Sequence, residues 1–180
     1  SNKLLNNAFG VNLLVAGSGN TVTGNTLIQN SLVGINVISS SNNNISSNSV
    51  VESSFGIKLE SSNNNFIVGN TVSDTSYGIY LYSSNLNNVD NNKVSAKTIG
   101  IYSVYTTGVN IRDNTVSGCA YGIELYGATS TNVLRNTASD NSYGIYLVRS
   151  NTNVFDSNLA SNNNWGIQFY DSDSNTVTYN

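Results

Sequence analysis

A glycine recurs every 22 residues along this chain, at Gly34, Gly56, Gly78, Gly100, Gly122, Gly144 and Gly166, with Gly10 standing 24 residues ahead of the first of them. A period of that length held in phase confines the fold to a stacked repeat, because one such unit cannot bury its own apolar face. A β-branched residue follows every glycine (Val11, Ile35, Ile57, Ile79, Ile101, Ile123, Ile145, Ile167), and two places further the chain is apolar except at Ser103. The residue before the glycine is Phe9, Val33, Phe55, Tyr77, Ile99, Tyr121, Tyr143 or Trp165. A period of two over these positions predicts a short strand that turns all three toward a core.

A second apolar register lies eleven residues past the glycine (Ile45, Ile67, Val89, Ile111, Val133, Phe155, Val177), and an asparagine stands three residues after each, from Asn48 to Asn180. Further apolar residues two places on (Val50, Val72, Val94, Val116) complete three short strands per repeat, joined by turns of Asn, Ser and Gly. No helical periodicity competes with this pattern. The expected fold is all-β: one right-handed parallel β-helix of about eight turns over residues 1–180. One strand spacing of about 4.8 Å per turn gives a rod of roughly 38 Å. Equivalent side chains then lie above one another, so the asparagines form a ladder at one corner, where Asn accepts left-handed backbone angles and pairs with its copies.

Composition narrows the functional classes. A 38% hydrophobic content supplies a core, while the seven Lys and Arg are scattered in a chain of net charge −3, which excludes a phosphate-binding stripe and hence nucleic acid as partner. No apolar run is long enough to insert in a membrane. The single Cys119 excludes an internal disulfide or a multi-cysteine metal site, and no cofactor is indicated.

The run SNNNFIVGNTVSDTSYGIYL, from Ser62 to Leu81, resembles the repeats of the right-handed parallel β-helix proteins of the NosD-like and carbohydrate-binding or sugar-hydrolase group, and the resemblance extends over essentially the whole chain. It implies a scaffold used by polysaccharide lyases, hydrolases and epimerases, by periplasmic proteins linked to copper-enzyme maturation, and by microbial, especially archaeal, surface proteins. Copper does not carry over, since the chain has no His, no Met and one Cys.

Function must reside in positions that break the pattern. Two and four residues past the glycine the side chains point outward, and there stand Tyr80, Tyr82, Tyr102, Tyr126, Tyr146 and Tyr170. Rings repeating at about 4.8 Å nearly match the rise of an extended glycan, which makes the strip a candidate for glycan binding. The same strip suits a neighbouring subunit or domain, or reflects strand propensity alone. A second constellation, Arg112, Asp113 and Arg135 beside Asp90 and Asp156, offers the cation and base of a β-helix lyase; its alternating signs suit paired charges along an exposed ladder better. Glu60 and Glu124, three turns apart at about 14 Å, are too distant for a glycosidase pair. Cys119 is expected as a small polar substitute at a corner shared with Ser53, Thr75, Lys97 and Asn141.

The chain opens without Met and in mid-repeat and shows no cap, which suggests a segment of a longer protein or a fibre subunit whose ends pair with other copies or with neighbouring β-helix segments. The favoured expectation is a non-catalytic extracellular or cell-surface scaffold that assembles end to end or binds glycans, the alternative a polysaccharide-acting enzyme.

Overall fold

The repeat bends where its turn residues can enter the left-handed region. In the turn that begins at Gly34, Ser39, Asn42, Ser47 and Glu52 all have φ between 48° and 58°, and their equivalents do so in nearly every other turn. Short polar side chains tolerate that region because they hydrogen-bond to the local backbone. Between these bends the chain runs straight in three strands, described here by the computed structural model over residues 1–180. The first face holds the glycine strand (Phe9–Leu14 and its copies to Trp165–Tyr170), the second the strands equivalent to Asn88–Asp90, and the third those equivalent to Thr115–Ser117.

Every pairing is parallel and joins each turn to the next, as in Tyr80↔Tyr102↔Glu124↔Tyr146 on the first face and Val89↔Ile111↔Val133 on the second. The second face is a sheet of 8 strands, and the first and third faces merge into one of 14 because Thr71–Tyr82 and Lys93–Val104 each run from the third face to the first as a single strand. The result is the expected β-helix. Its interior is a set of stacks: Ile57, Ile79, Ile101, Ile123 and Ile145 are fully buried, as are Ile45, Ile67, Val89, Ile111 and Val133. Ser103, the one polar residue of its column, is also fully buried and shares a 2.6 Å hydrogen bond with Thr106.

The asparagine ladder is present and does more than decorate a corner. Asn92 Oδ1 accepts from the backbone N–H and the amide of Asn70, and its Nδ2 donates to Asn114 Oδ1 and to the carbonyl of Ile67. Each side chain thus satisfies backbone groups that the bend takes out of the sheet. The sequence pattern announces this ladder alone, yet the other corners carry their own: Asn43, Asn65 and Asn87; Ser40, Ser62 and Ser84; and Asn7 with Asn30, resumed at Cys119, Asn141 and Asn163.

Two expectations need correction. The aromatic residues before the glycine do not enter the core: Phe55, Tyr77, Tyr121 and Tyr143 are half-buried and stack on the outer surface, and Trp165 is exposed, whereas the aliphatic Val33 and Ile99 of the same column are buried. Gly78 and its copies take the inward place instead. A Cβ on Gly78 would lie 2.3 Å from Val94 Cγ1 and 2.5 Å from the carbonyl oxygen of Gly100, so only a glycine lets successive turns approach this closely. With Gly78 and Ile79 both directed inside, alternation breaks at the glycine and the preceding ring is left outside. The second correction concerns the column of Cys119. Thr75 pairs with Ala96, not Lys97, across a register shift, so Ala96 occupies the corner and Lys97 is displaced outward. Cys119 fits its place: Sγ accepts from the Ala96 N–H at 3.3 Å and contacts the Ser117 carbonyl at 3.4 Å, and burial pushes its thiol pKa up.

Candidate functional site

On the first face the predicted tyrosines form one surface with the rings that the sequence pattern had turned inward. Tyr80, Tyr102, Tyr126 and Tyr146 are half-buried, whereas Tyr82 and Tyr170 are 37% and 60% exposed. Phe55 and Tyr77 stack at 4.9 Å between centroids, Tyr80 lies 5.3 Å from Phe55 and 5.5 Å from Tyr102, and Tyr82 stacks on Tyr80 at 6.4 Å. A second group comprises Tyr121 and Tyr143 at 4.9 Å, Tyr146 at 5.4 Å from Tyr121, and Trp165 at 6.2 Å from Tyr143. Tyr170 makes no ring contact with either group. Parallel register brings rings 22 residues apart together, and offset stacking holds them.

Tyr105 is a residue that periodicity could not supply. It sits at a corner with φ 51°, where tyrosine is uncommon, and its ring meets Tyr82 at 6.1 Å and Tyr126 at 5.4 Å, both edge-on. One turn on, the equivalent residue is Gly127, with φ 60°, where a Cβ would lie 2.7 Å from the Tyr105 ring. The signal was present in the sequence as a glycine out of phase with the repeat, one turn beyond a tyrosine in a turn.

Glu124 interrupts the strip. It occupies the same outward column as Tyr80, Tyr102 and Tyr146, yet only 8% of it is exposed, because the surrounding rings cover it. Burial raises its pKa to about 7. The phenols respond to the same surroundings: burial first, then the Glu124 charge, pushes the Tyr102 pKa up, and burial also raises those of Tyr80, Tyr121 and Tyr146.

The charged ladder of the second face has a different character. Arg112 grips Asp90 through Nε at 3.0 Å and Nη2 at 2.9 Å, and Arg135 grips Asp113 through the same two nitrogens, both at 2.8 Å. Arg112, Asp113 and Arg135 thus lie on neighbouring turns as their spacing predicts, with each guanidinium held two-pronged by the carboxylate one turn below. The Arg135 hydrogen bonds hold the Asp113 carboxyl below the usual carboxylate range.

A polar groove of about 470 Å³ follows the corner between the third and first faces, bordered by Glu52, Asp74, Ser76 and the displaced Lys97. Here the corner ladder lapses: Ser53 and Thr75 replace Asn, and their buried hydroxyls find no partner. Asparagine reaches the next turn and these shorter side chains do not.

The family model described as "Periplasmic copper-binding protein (NosD)" matches residues 1–89 and 31–180. No curated protein matches the sequence. Among solved structures, the periplasmic alginate epimerase AlgG superposes with a TM-score of 0.84 at 18% identity, over 98% of this chain and 48% of that one. The Dettilon tailspike protein gives 0.77 at 19% identity, over 96% and 40% of the two chains. The A-module of the Azotobacter vinelandii mannuronan C-5 epimerase AlgE6 gives 0.54 at 15%, over 89% and 57%. At these identities the likeness is one of fold, and the chain spans about half the length of the alginate epimerase and 40% of that of the tailspike protein.

Proposed function

The chain belongs to the NosD family of parallel β-helix proteins, and on that premise we propose that it is a non-catalytic scaffold working outside the cytoplasm, whose first face binds a glycan along the tyrosine strip. One observation carries the reading: outward rings from Phe55 to Trp165 are collected on a single face of a rigid solenoid. Flat apolar faces with hydroxyl groups at their edges are what a pyranose ring stacks on. The family description and the alginate epimerase agree with a periplasmic or extracellular setting. Copper chemistry does not fit the side chains present, because His and Met are absent, Cys119 is buried in a backbone hydrogen-bond network, and no three Cys, Asp or Glu side chains converge.

The enzymatic alternative would place its chemistry on Arg112, Asp113 and Arg135. These groups are engaged with one another or with Asp90 and lie away from the polar groove beside Lys97, which favours an electrostatic ladder. Affinity electrophoresis through a panel of neutral and acidic polysaccharides tests the proposal. The wild type should be retarded in at least one gel, and the triple variant Tyr80→Ala, Tyr102→Ala, Tyr146→Ala should run free while keeping its β-sheet circular dichroism. Equal retardation of both proteins, or new reducing ends or unsaturated products that vanish on Arg112→Ala, would count against it.

A further inference from the structure

Glu124 is the only charged residue among the buried side chains, and its carboxyl makes no hydrogen bond and no ion pair. Its carboxyl oxygens are nevertheless not sealed from solvent, since the fully enclosed unpartnered atoms belong to Asn36, Ser53 and Thr75. The groups that face it are tyrosines: Tyr121 and Tyr126 on its own strand, Tyr102 one turn below and Tyr146 one turn above. No cation completes it, because Lys58 and Arg149, the basic residues of this face, pair with Glu60 at 2.8 Å and Asp171 at 3.3 Å. The aromatic surface divides at this carboxyl, with Phe55, Tyr77, Tyr80 and Tyr102 on the turns below it and, beginning from Tyr121 on its own strand, Tyr143, Tyr146 and Trp165 on the turns above.

A carboxyl left unpartnered between two ring platforms has its acceptors free for a ligand's donors. We infer that Glu124 is the polar anchor of a glycan subsite, and that it selects a neutral sugar, whose neighbouring hydroxyls donate to the carboxyl while the rings on either side hold the sugar's faces. This rests on the glycan reading above. The selectivity follows from charge. A carboxylate accepts from two hydroxyls at once in the strong, charge-assisted manner, whereas a uronate would bring a second carboxylate to a place with no Arg or Lys to receive it. Hydroxyl donors favour the ionised form, so binding expels a proton from a group that titrates near pH 7 when free. Affinity should therefore climb from pH 5.5 to pH 8 and then level off.

Calorimetry with β-1,4-linked neutral hexasaccharides (gluco and manno) and with a mannuronate hexasaccharide, at pH 5.5 and pH 8 and in buffers of different ionisation enthalpy, tests this. The expected result is binding of a neutral hexasaccharide about tenfold tighter at pH 8, with proton release at pH 5.5, and at least about tenfold weaker binding of the uronate. Glu124→Gln, close in shape, should weaken neutral binding at pH 8 by about tenfold and flatten the pH dependence. Uronate binding equal to or tighter than neutral, still abolished by the triple tyrosine variant, overturns the inference and leaves the glycan reading intact. Failure of every glycan at both pH values overturns both.

Discussion

At the level of single residues this fold depends on polar groups that the interior forces into place. Asn92 is 1% exposed and joins three turns through four side-chain hydrogen bonds. Asn92→Ala leaves backbone and amide groups without partners, and a loss of about 2–4 kcal/mol in urea unfolding is expected. A loss under about 0.5 kcal/mol would mean that water enters the corner in its place. Glu124 presents the opposite case, a buried group that works against the fold when ionised. Its pKa rises on folding to about 7, so the native state holds the proton more firmly than the unfolded chain, and stability falls as pH climbs from about 4.5 through 7. Glu124→Gln removes that penalty. Its Tm should match the wild type at pH 4 and exceed it at pH 8, by the equivalent of about 2 kcal/mol, a figure set below that of a dry carboxyl because water still reaches the oxygens. A pH-independent difference would show that the carboxyl is solvated.

Among the elements, the glycine strand is where sequence reasoning succeeded and failed together. The period, the three strands, the inward Ile and Leu columns, the asparagine ladder and the outward tyrosines all follow from a repeat read with a period of two. The rings preceding each glycine do not, because a bare glycine leaves no apolar mark and so hides its own inward place. The column after the glycine is Ile in every turn from Ile35 to Ile167, whereas the column before it mixes Phe, Tyr, Trp, Val and Ile, a spread of volume that this enclosed stack does not show. Spacing places Lys97 in the wrong column because the register shift beside Thr75 leaves no mark on it. Glu124 was legible as an outward residue but not as a buried one, since its cover comes from turns on both sides. The glycine argument predicts that Gly78→Ala costs about 1–3 kcal/mol, by driving a Cβ into Val94 and the Gly100 carbonyl. The additional change Val94→Ala should recover little, because the carbonyl contact remains. The Arg112–Asp90 pair, partly open to water, should matter far less: Arg112→Ala is expected to cost about 0.5–1 kcal/mol, and less in high salt.

For the molecule as a whole, stacking turns a modest residue preference into an extended surface. Each turn presents its outward residues one strand spacing, about 4.8 Å, from the last, so the Tyr80, Tyr102, Glu124 and Tyr146 column forms a linear array whose pitch is set by the backbone. A rigid array of this kind does not have to close around its ligand, and each additional sugar that finds a ring in step adds its contact with little further loss of freedom. Affinity should therefore depend on glycan length. Across a series of neutral oligosaccharides from disaccharide to octasaccharide, binding is expected to tighten by about threefold to tenfold per added unit, corresponding to about 0.5–1.5 kcal/mol per ring contact, and then to level off. The plateau should come at four to six units, where the chain spans the four turns of the array. Tyr80→Ala should shorten the series that still gains affinity, while Tyr102→Ala, beside the Glu124 anchor, should weaken ligands of every length. A disaccharide that binds as tightly as a hexasaccharide would place all recognition on a single turn, and the repeat would then be support for one subsite.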